Sequence, residues 1–242
     1  MKIKSAFYVL VIVLAVFSCK KDDGGINIEP PKALSEIIAT DEADIKAFLE
    51  THFYNYVEFE TPPADFDYRI DIDTISGDNA DKTSLLQMMT AKKVIVRSEE
   101  IGLDDEKELE HTYYYIVARQ GVGPRPTVVD SSFVRYEGSL LNKQVFDGST
   151  ESPVWFDLVN TVKGFGSGTQ WLKAGEVTST NSDGTFEIDN YGVGMVIFPS
   201  AMGYYSRQQG TIPSYSPLIF KIDLMTVAVA DHDRDGVPSH VE

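Results

Sequence analysis

The sequence is poor in cysteine and histidine. Cys19 is the single thiol in 242 residues, and the histidines are four: His52, His111, His232 and His240. One thiol excludes an intrachain disulfide framework, a thiolate-rich zinc site and a CxxC redox centre. Histidines this scattered speak against a histidine-based metalloenzyme or a Ser-His-Asp hydrolase. Basic residues are also scarce: 21 Lys and Arg stand against 37 Asp and Glu, a formal net charge of -16. Such a surface repels a phosphate backbone, so no nucleic-acid partner is expected. Long apolar runs are missing too. The longest, Ala6 to Phe17, falls short of the roughly 20 apolar residues that a spanning helix needs. What is present, 43% hydrophobic residues, is enough to bury the core of one medium domain or two small ones.

The N-terminus reads as a targeting signal. Lys2 and Lys4 precede the apolar run, which ends in Val16-Phe17-Ser18-Cys19. A positive start, a short apolar core and a small residue before cysteine resemble a bacterial lipobox, in which Cys19 is lipidated and becomes the mature N-terminus. Phe17 is bulkier than the residue usual there, and an ordinary secretory signal with an incidental cysteine is the alternative. Several acyl chains on Cys19 would supply the membrane contact, since an anionic body gains nothing from anionic headgroups. Lys20-Lys21-Asp22-Asp23 look like a short export tag of surface lipoproteins, and outer-membrane attachment is the expectation, with the face open. Residues 1–18 are thus assigned to the signal and 19–35 to a linker.

Residues 36–123 read as a small α+β accessory segment. Thr40 can cap a helix over about 41–52, with Ile45, Phe48 and Leu49 at helical spacing. Tyr68, Ile70 and Ile72 alternate with Arg69, Asp71 and Asp73, as in a half-buried strand. Val94–Val96 and Tyr113–Val117 are further strand candidates, separated by an acidic loop. Buried strand aromatics explain Tyr113–Tyr115 more readily than a binding surface does. Gly121-Val122-Gly123-Pro124-Arg125-Pro126 is turn-rich and is the expected domain boundary.

Residues 124–229 carry an ordered series of short motifs: Phe133-Val134-Arg135-Tyr136, then Val145-Phe146-Asp147-Gly148, Lys163-Gly164-Phe165, Ile197-Phe198-Pro199, Gly203-Tyr204-Tyr205, Gly210-Thr211-Ile212-Pro213 and Leu218-Ile219-Phe220. In this order they resemble the FKBP family of peptidyl-prolyl cis-trans isomerases over about a hundred residues. The resemblance implies an α+β fold, a curved antiparallel sheet of about five strands wrapped over a short helix, with a hydrophobic pocket between them. It places Tyr136, Phe146, Val162, Phe165, Tyr204, Ile212 and Phe220 around that pocket, with Asp147 as its polar edge. Phe165 stands where the family usually has tryptophan, and Tyr205 where it usually has glycine. Ser206–Gln209 give the flap, and Val177–Gly194 read as an inserted hairpin.

These residue types also suit the chemistry. Rotation about an amide costs about 18–20 kcal/mol because resonance is broken. A dry aromatic pocket disfavours the planar, polar ground state more than the twisted one. Nothing in this requires a cofactor, and the partners would be proline-containing unfolded or peptide substrates of the envelope or export route. Taken singly, each aromatic is more often core than site. The alternative is a non-catalytic FKBP-like peptide-binding or chaperone module.

Residues 230–242 form a separate acidic tail. Asp231, Asp233, Asp235, Val237 and Glu242 match the D-x-D-x-D-G-x5-E calcium loop, with Gly236 at its turn. No helix precedes it, and Pro238 replaces the usual aliphatic residue. Weak or partner-completed calcium binding and a merely acidic tail stand level.

Overall fold

The computed structural model describes residues 30–104, 107–182 and 185–242. The signal, Cys19 and most of the linker lie outside the described residues.

The scaffold is one antiparallel sheet built from β3 (Thr90–Arg97), β4 (Glu108–Arg119), β5 (Ser131–Leu140), β6 (Val145–Asp157), β9 (Gly192–Phe198) and β10 (Leu218–Ala228). The strand order is β3-β4-β9-β10-β5-β6, six strands where the family resemblance implies about five. β9 reads GVGMVIF and is buried along its whole length, as a central strand covered on both faces should be. On one face lie Val134, Tyr136, Val196, Phe198, Phe220, Ile222 and Leu224; on the other, Val193, Met195, Ile197 and Ile219. The two sets alternate along their strands, as the pleat requires.

The first face is covered by α4 (Lys163–Thr169). Gly164 and Gly168 lie one turn apart and let this helix approach β9 closely. A Cβ on Gly164 would fall 2.2 Å from the Phe198 ring, and one on Gly168 would fall 2.5 Å from Val196. Glycine weakens a helix intrinsically, by about 1 kcal/mol relative to alanine, so the close approach is what favours it here.

The second face is covered by the N-terminal part: α1 (Leu34–Thr51), β1 (His52–Tyr54), α2 (Tyr56–Glu60), β2 (Ile72–Thr74) and α3 (Leu85–Met88). Ile45, Phe48 and Leu49 of α1 pack there with Tyr54, Ile70, Leu85 and Met89. The expected helix over 41–52 therefore begins earlier. Its buried stripe is Leu34, Ile37, Asp41, Ile45, Phe48 and Leu49, and its first flanking residue is Ala33, with no side-chain cap. Asp41 breaks the apolar periodicity and so hides the first two turns. Of the expected strand around Tyr68–Asp73, only Ile72–Thr74 is extended and paired, with β1.

The expected boundary at 123/124 needs correction as well. β4 belongs to the segment assigned as accessory, yet it pairs with β9 through Tyr114↔Ile197 and Tyr115↔Val196. Residues 32–242 form one compact unit. The turn at 121–126 is pinned rather than hinged: Gly123 N–H donates to Ala174 O and Ala174 N–H to Pro124 O, each at 2.7 Å. The insertion folds as a two-stranded hairpin of β7 (Glu176–Thr180) and β8 (Phe186–Asp189).

Candidate active site

A cavity of about 240 Å³ opens between α4 and the first face of the sheet, lined by Tyr136, Asp147, Phe156, Asn160, Thr161, Val162, Phe165, Tyr204 and Phe220. Strand register brings the sheet residues together. Tyr136 on β5 pairs with Ile222 on β10, one inward position from Phe220, while Gly138 on β5 pairs with Asp147 on β6. The helix supplies the floor: Phe165 is 3% exposed. Three rings meet Phe165 edge to face, with centroids 6.0 Å (Tyr136), 5.5 Å (Phe156) and 5.2 Å (Phe220) away. Edge-to-face packing sets the positive rim of one ring against the negative face of another and fixes the floor's shape.

One hydrogen-bonded pair of side chains stands at the polar edge. The Tyr136 hydroxyl donates to Asp147 Oδ2 at 2.7 Å, and Gly148 N–H donates to Asp147 Oδ1 at 2.9 Å. Burial, and then the hydrogen bond to the Asp147 carboxylate, push the Tyr136 phenol well above its ordinary range. Burial raises the Tyr204 phenol too, helped by the charge of Asp147. Both phenols therefore remain neutral donors at any physiological pH.

Of the residues expected at the pocket, Tyr136, Asp147, Val162, Phe165, Tyr204 and Phe220 line the cavity. Phe146 does not: it is half-buried and packs edge-on against Phe220, at 5.6 Å. Ile212 is buried in the same core without lining the cavity. Phe156, Asn160 and Thr161 are lining residues that the motif series passed over. Phe156 could have been found from strand alternation, being two residues beyond Val154 on the inward face of β6. Asn160 and Thr161 sit on and after a short 3-10 turn, Leu158–Asn160, which carries no comparable sequence signature.

In the acidic tail, carboxylate oxygens of Asp231, Asp233 and Asp235 come within 4.8 Å of one another. Glu242 is not part of that cluster. The loop's own backbone engages these carboxylates, with Arg234 and Gly236 N–H donating to Asp231 and Val237 N–H to Asp235. His232 faces Ser239 and Asp157. Among the described residues, no helix is long and apolar enough to cross a membrane.

No family model matches the chain. Curated relatives do. A protein of Neisseria meningitidis named "probable FKBP-type peptidyl-prolyl cis-trans isomerase FkpA" is 30% identical over 149 residues, 60% of this chain and 48% of that one. The peptidyl-prolyl cis-trans isomerase Mip of Coxiella burnetii is 29% identical over 124 residues, 50% of this chain and 47% of the relative. Among solved structures, a peptidyl-prolyl isomerase of Pseudomonas syringae shows 27% identity and a TM-score of 0.39, over 48% of this chain and 75% of that one. Escherichia coli FkpA gives 26% and 0.39, over 48% and 47%. The chain spans about half the length of the curated relatives it matches. Across that span, it is similar in sequence to FKBP-type peptidyl-prolyl cis-trans isomerases.

Proposed function

We propose that the chain is a peptidyl-prolyl cis-trans isomerase acting on exported or envelope proteins. The observation that carries this reading is the aromatic cavity, with its floor of Phe165 and the hydrogen-bonded pair Tyr136 and Asp147 at its edge. The relatives' names support the same class.

An X-Pro amide resists rotation by about 18–20 kcal/mol because its C–N bond has partial double-bond character. The planar ground state carries the charge separation of that resonance, and the twisted state has lost much of it. Moving the bond from water into the cavity takes hydration from the planar form and costs the twisted form less. Phe165, Phe156 and Phe220 enclose the proline ring. Tyr136 and Tyr204 remain hydroxyl donors throughout, and the Asp147 carboxylate fixes the Tyr136 ring through its hydrogen bond. No bond is made or broken, so the site needs shape and a low dielectric rather than a nucleophile.

The apolar run before Cys19 supports export, and Cys19 supports lipid anchoring to the outer membrane. Cys19→Ser is expected to release the protein from the membrane fraction and abolish labelling by a clickable palmitate.

The activity is tested with the full chain in mild detergent, following cis-to-trans conversion of short X-Pro peptides. Acceleration that is lost in Phe220→Ala, with the fold retained, is the expected result. No acceleration with several residues before proline overturns the isomerase reading. Peptide retention without acceleration would leave a binding module.

A further inference from the structure

The loop of residues 199–217 joins β9 to β10 and carries Tyr204, a wall of the cavity. Its tip closes on itself: Gln209 and Ile212 exchange backbone hydrogen bonds at 3.1 and 2.9 Å, and Ser214 Oγ donates to Ser206 O at 2.8 Å. Its base is held differently, by residues 159 to 183 positions away in the chain.

Two attachments are present. At the start of the loop, Ser200 N–H and Ser200 Oγ–H both donate to Asp41 Oδ2, at 2.8 and 2.6 Å. At the neck, the backbone of Lys32 is gripped on both sides. The Tyr205 hydroxyl donates to Lys32 O at 2.6 Å, and Lys32 N–H donates to the Tyr215 hydroxyl at 2.9 Å. The two tyrosines are joined as well: Tyr215 N–H donates to Tyr205 O at 2.6 Å, and their rings pack edge to face at 5.2 Å. Tyr205 N–H returns to Ser200 O at 2.9 Å, which links the two attachments.

The geometry of this loop is not one its own residues would choose. Tyr205 and Tyr215 have φ of +52° and +60°, the left-handed region in which a Cβ crowds the following carbonyl oxygen. Such conformations persist only where the surroundings over-determine them. Asp41 is equally out of place by composition. It is 1% exposed and lies in the apolar stripe of α1, where a carboxylate must be desolvated and a leucine would not suffer. What the carboxylate provides that leucine cannot is the double hydrogen bond to Ser200. The residue before Tyr205 is Tyr204, so fixing the neck fixes where the cavity wall stands.

We propose that the N-terminal segment from Lys32 to Asp41 is a positioning element of the pocket, with Asp41 the positioning residue that sets Tyr204 through Ser200 and Tyr205. The role in catalysis rests on the isomerase reading; the hold on the loop does not. Neither residue touches the cavity. The segment from Lys32 to Asp41 thereby holds the loop that carries the pocket's wall without lining the cavity itself.

The experiment uses the full chain and two readouts. The first is trypsin cleavage after Arg207, an exposed residue of this loop, scored by mass spectrometry against cleavage at Lys143 in the turn between β5 and β6. In Asp41→Ala, with the protein folded by circular dichroism, the Arg207 rate is expected to rise about tenfold while the Lys143 rate stays constant, because local opening and not global unfolding is enhanced. Asp41→Asn, whose amide oxygen can still accept from Ser200, is expected to bring the rate back near wild type. Tyr205→Phe, which removes the hydroxyl that donates to Lys32, provides a second variant should Asp41→Ala fail to fold, and a similar rise is expected there. The second readout is isomerase kinetics. KM is expected to rise several-fold with kcat less affected, and Asp41→Ala combined with Tyr204→Phe is expected to be less than additive. An Arg207 rate unchanged in both Asp41→Ala and Tyr205→Phe overturns the proposal. A raised Arg207 rate in a chain that accelerates no X-Pro peptide upholds the hold on the loop and discards the isomerase reading. A raised rate with normal kinetics in an active enzyme overturns the role in the pocket.

Discussion

Tyr136 and Asp147 sit on neighbouring strands at the edge of the aromatic cavity, joined by a hydrogen bond of 2.7 Å from the phenol to the carboxylate. Among the described residues it is the one hydrogen bond between two side chains that line the cavity, and it restrains the Tyr136 ring. Hydrogen bonds to charged groups contribute about 1.5–3 kcal/mol. Tyr136→Phe is therefore expected to lower kcat/KM for an X-Pro peptide by about tenfold, the equivalent of 1.4 kcal/mol. Asp147→Asn should do less, since its amide oxygen can still accept from the phenol. The double variant should resemble Tyr136→Phe, and additive losses would mean that the two residues act apart.

The close approach of α4 to β9 gives a second prediction. Alanine ordinarily stabilises a helix relative to glycine, by about 1 kcal/mol. At Gly164 and Gly168 the sign should reverse, because the added methyl would overlap Phe198 or Val196. Forcing extra carbon into a packed core costs about 1–3 kcal/mol. Each Gly→Ala substitution is expected to lower the urea midpoint, Gly164→Ala more so, since the Phe198 ring is rigid and the overlap deeper. A raised midpoint would show the helix free to move away.

Much of this architecture was legible in the sequence, and the failures have physical reasons. The motifs from Tyr136 to Phe220 fix a local order of strands, turns and one short helix, and most of the cavity follows from them. The pairing of β4 with β9 is not local, since Tyr115 and Val196 are far apart in sequence; a Gly- and Pro-rich connection marks a turn but not whether the sheet ends there. Asp41 concealed the start of α1 because periodicity counts a buried carboxylate as exposed. Tyr205, which replaces the glycine usual in the family, reads as a mere departure until its hydroxyl is seen on Lys32.

Two carboxylates raised by desolvation, the buried Asp41 and the half-buried Asp223, contribute to the response to pH. Burial raises Asp41 to about 6, against the hydrogen bonds from Ser200, and burial raises Asp223 to about 6, against the charge of Arg135. In both, the folded state holds the proton more tightly than the unfolded chain does, whose carboxylates titrate near 3.9. Between about pH 4 and 6 the folded state therefore binds more protons, and these groups add stability as pH falls through that window. His111 opposes them. Burial lowers it to about 4, so the unfolded chain takes up its proton first and stability is lost as pH falls below about 6.5. Urea midpoints measured from pH 7.5 to 4.5 should rise less in Asp41→Asn than in the wild type. Equal slopes for the two proteins would show that Asp41 does not titrate there.

The last prediction separates floor from flank. Phe165 meets three rings and closes the bottom of the cavity. Phe146 meets Phe220 at 5.6 Å from a half-buried position outside the lining. Removing a buried phenylalanine costs about 3–5 kcal/mol, because the cavity left behind forfeits contacts on every side. Phe165→Ala is expected to approach that cost and to enlarge the existing cavity, so that the folded fraction loses its grip on proline. Phe146→Ala should cost less stability, because the lost ring was half in water and its neighbours can relax outward. Its effect on kcat/KM should also be smaller than that of Phe220→Ala, since Phe146 lies outside the lining and packs against the Phe220 ring. Equal kinetic losses at Phe146 and Phe220, measured on folded protein, would place Phe146 in contact with the bound peptide and move the mouth of the site toward β6.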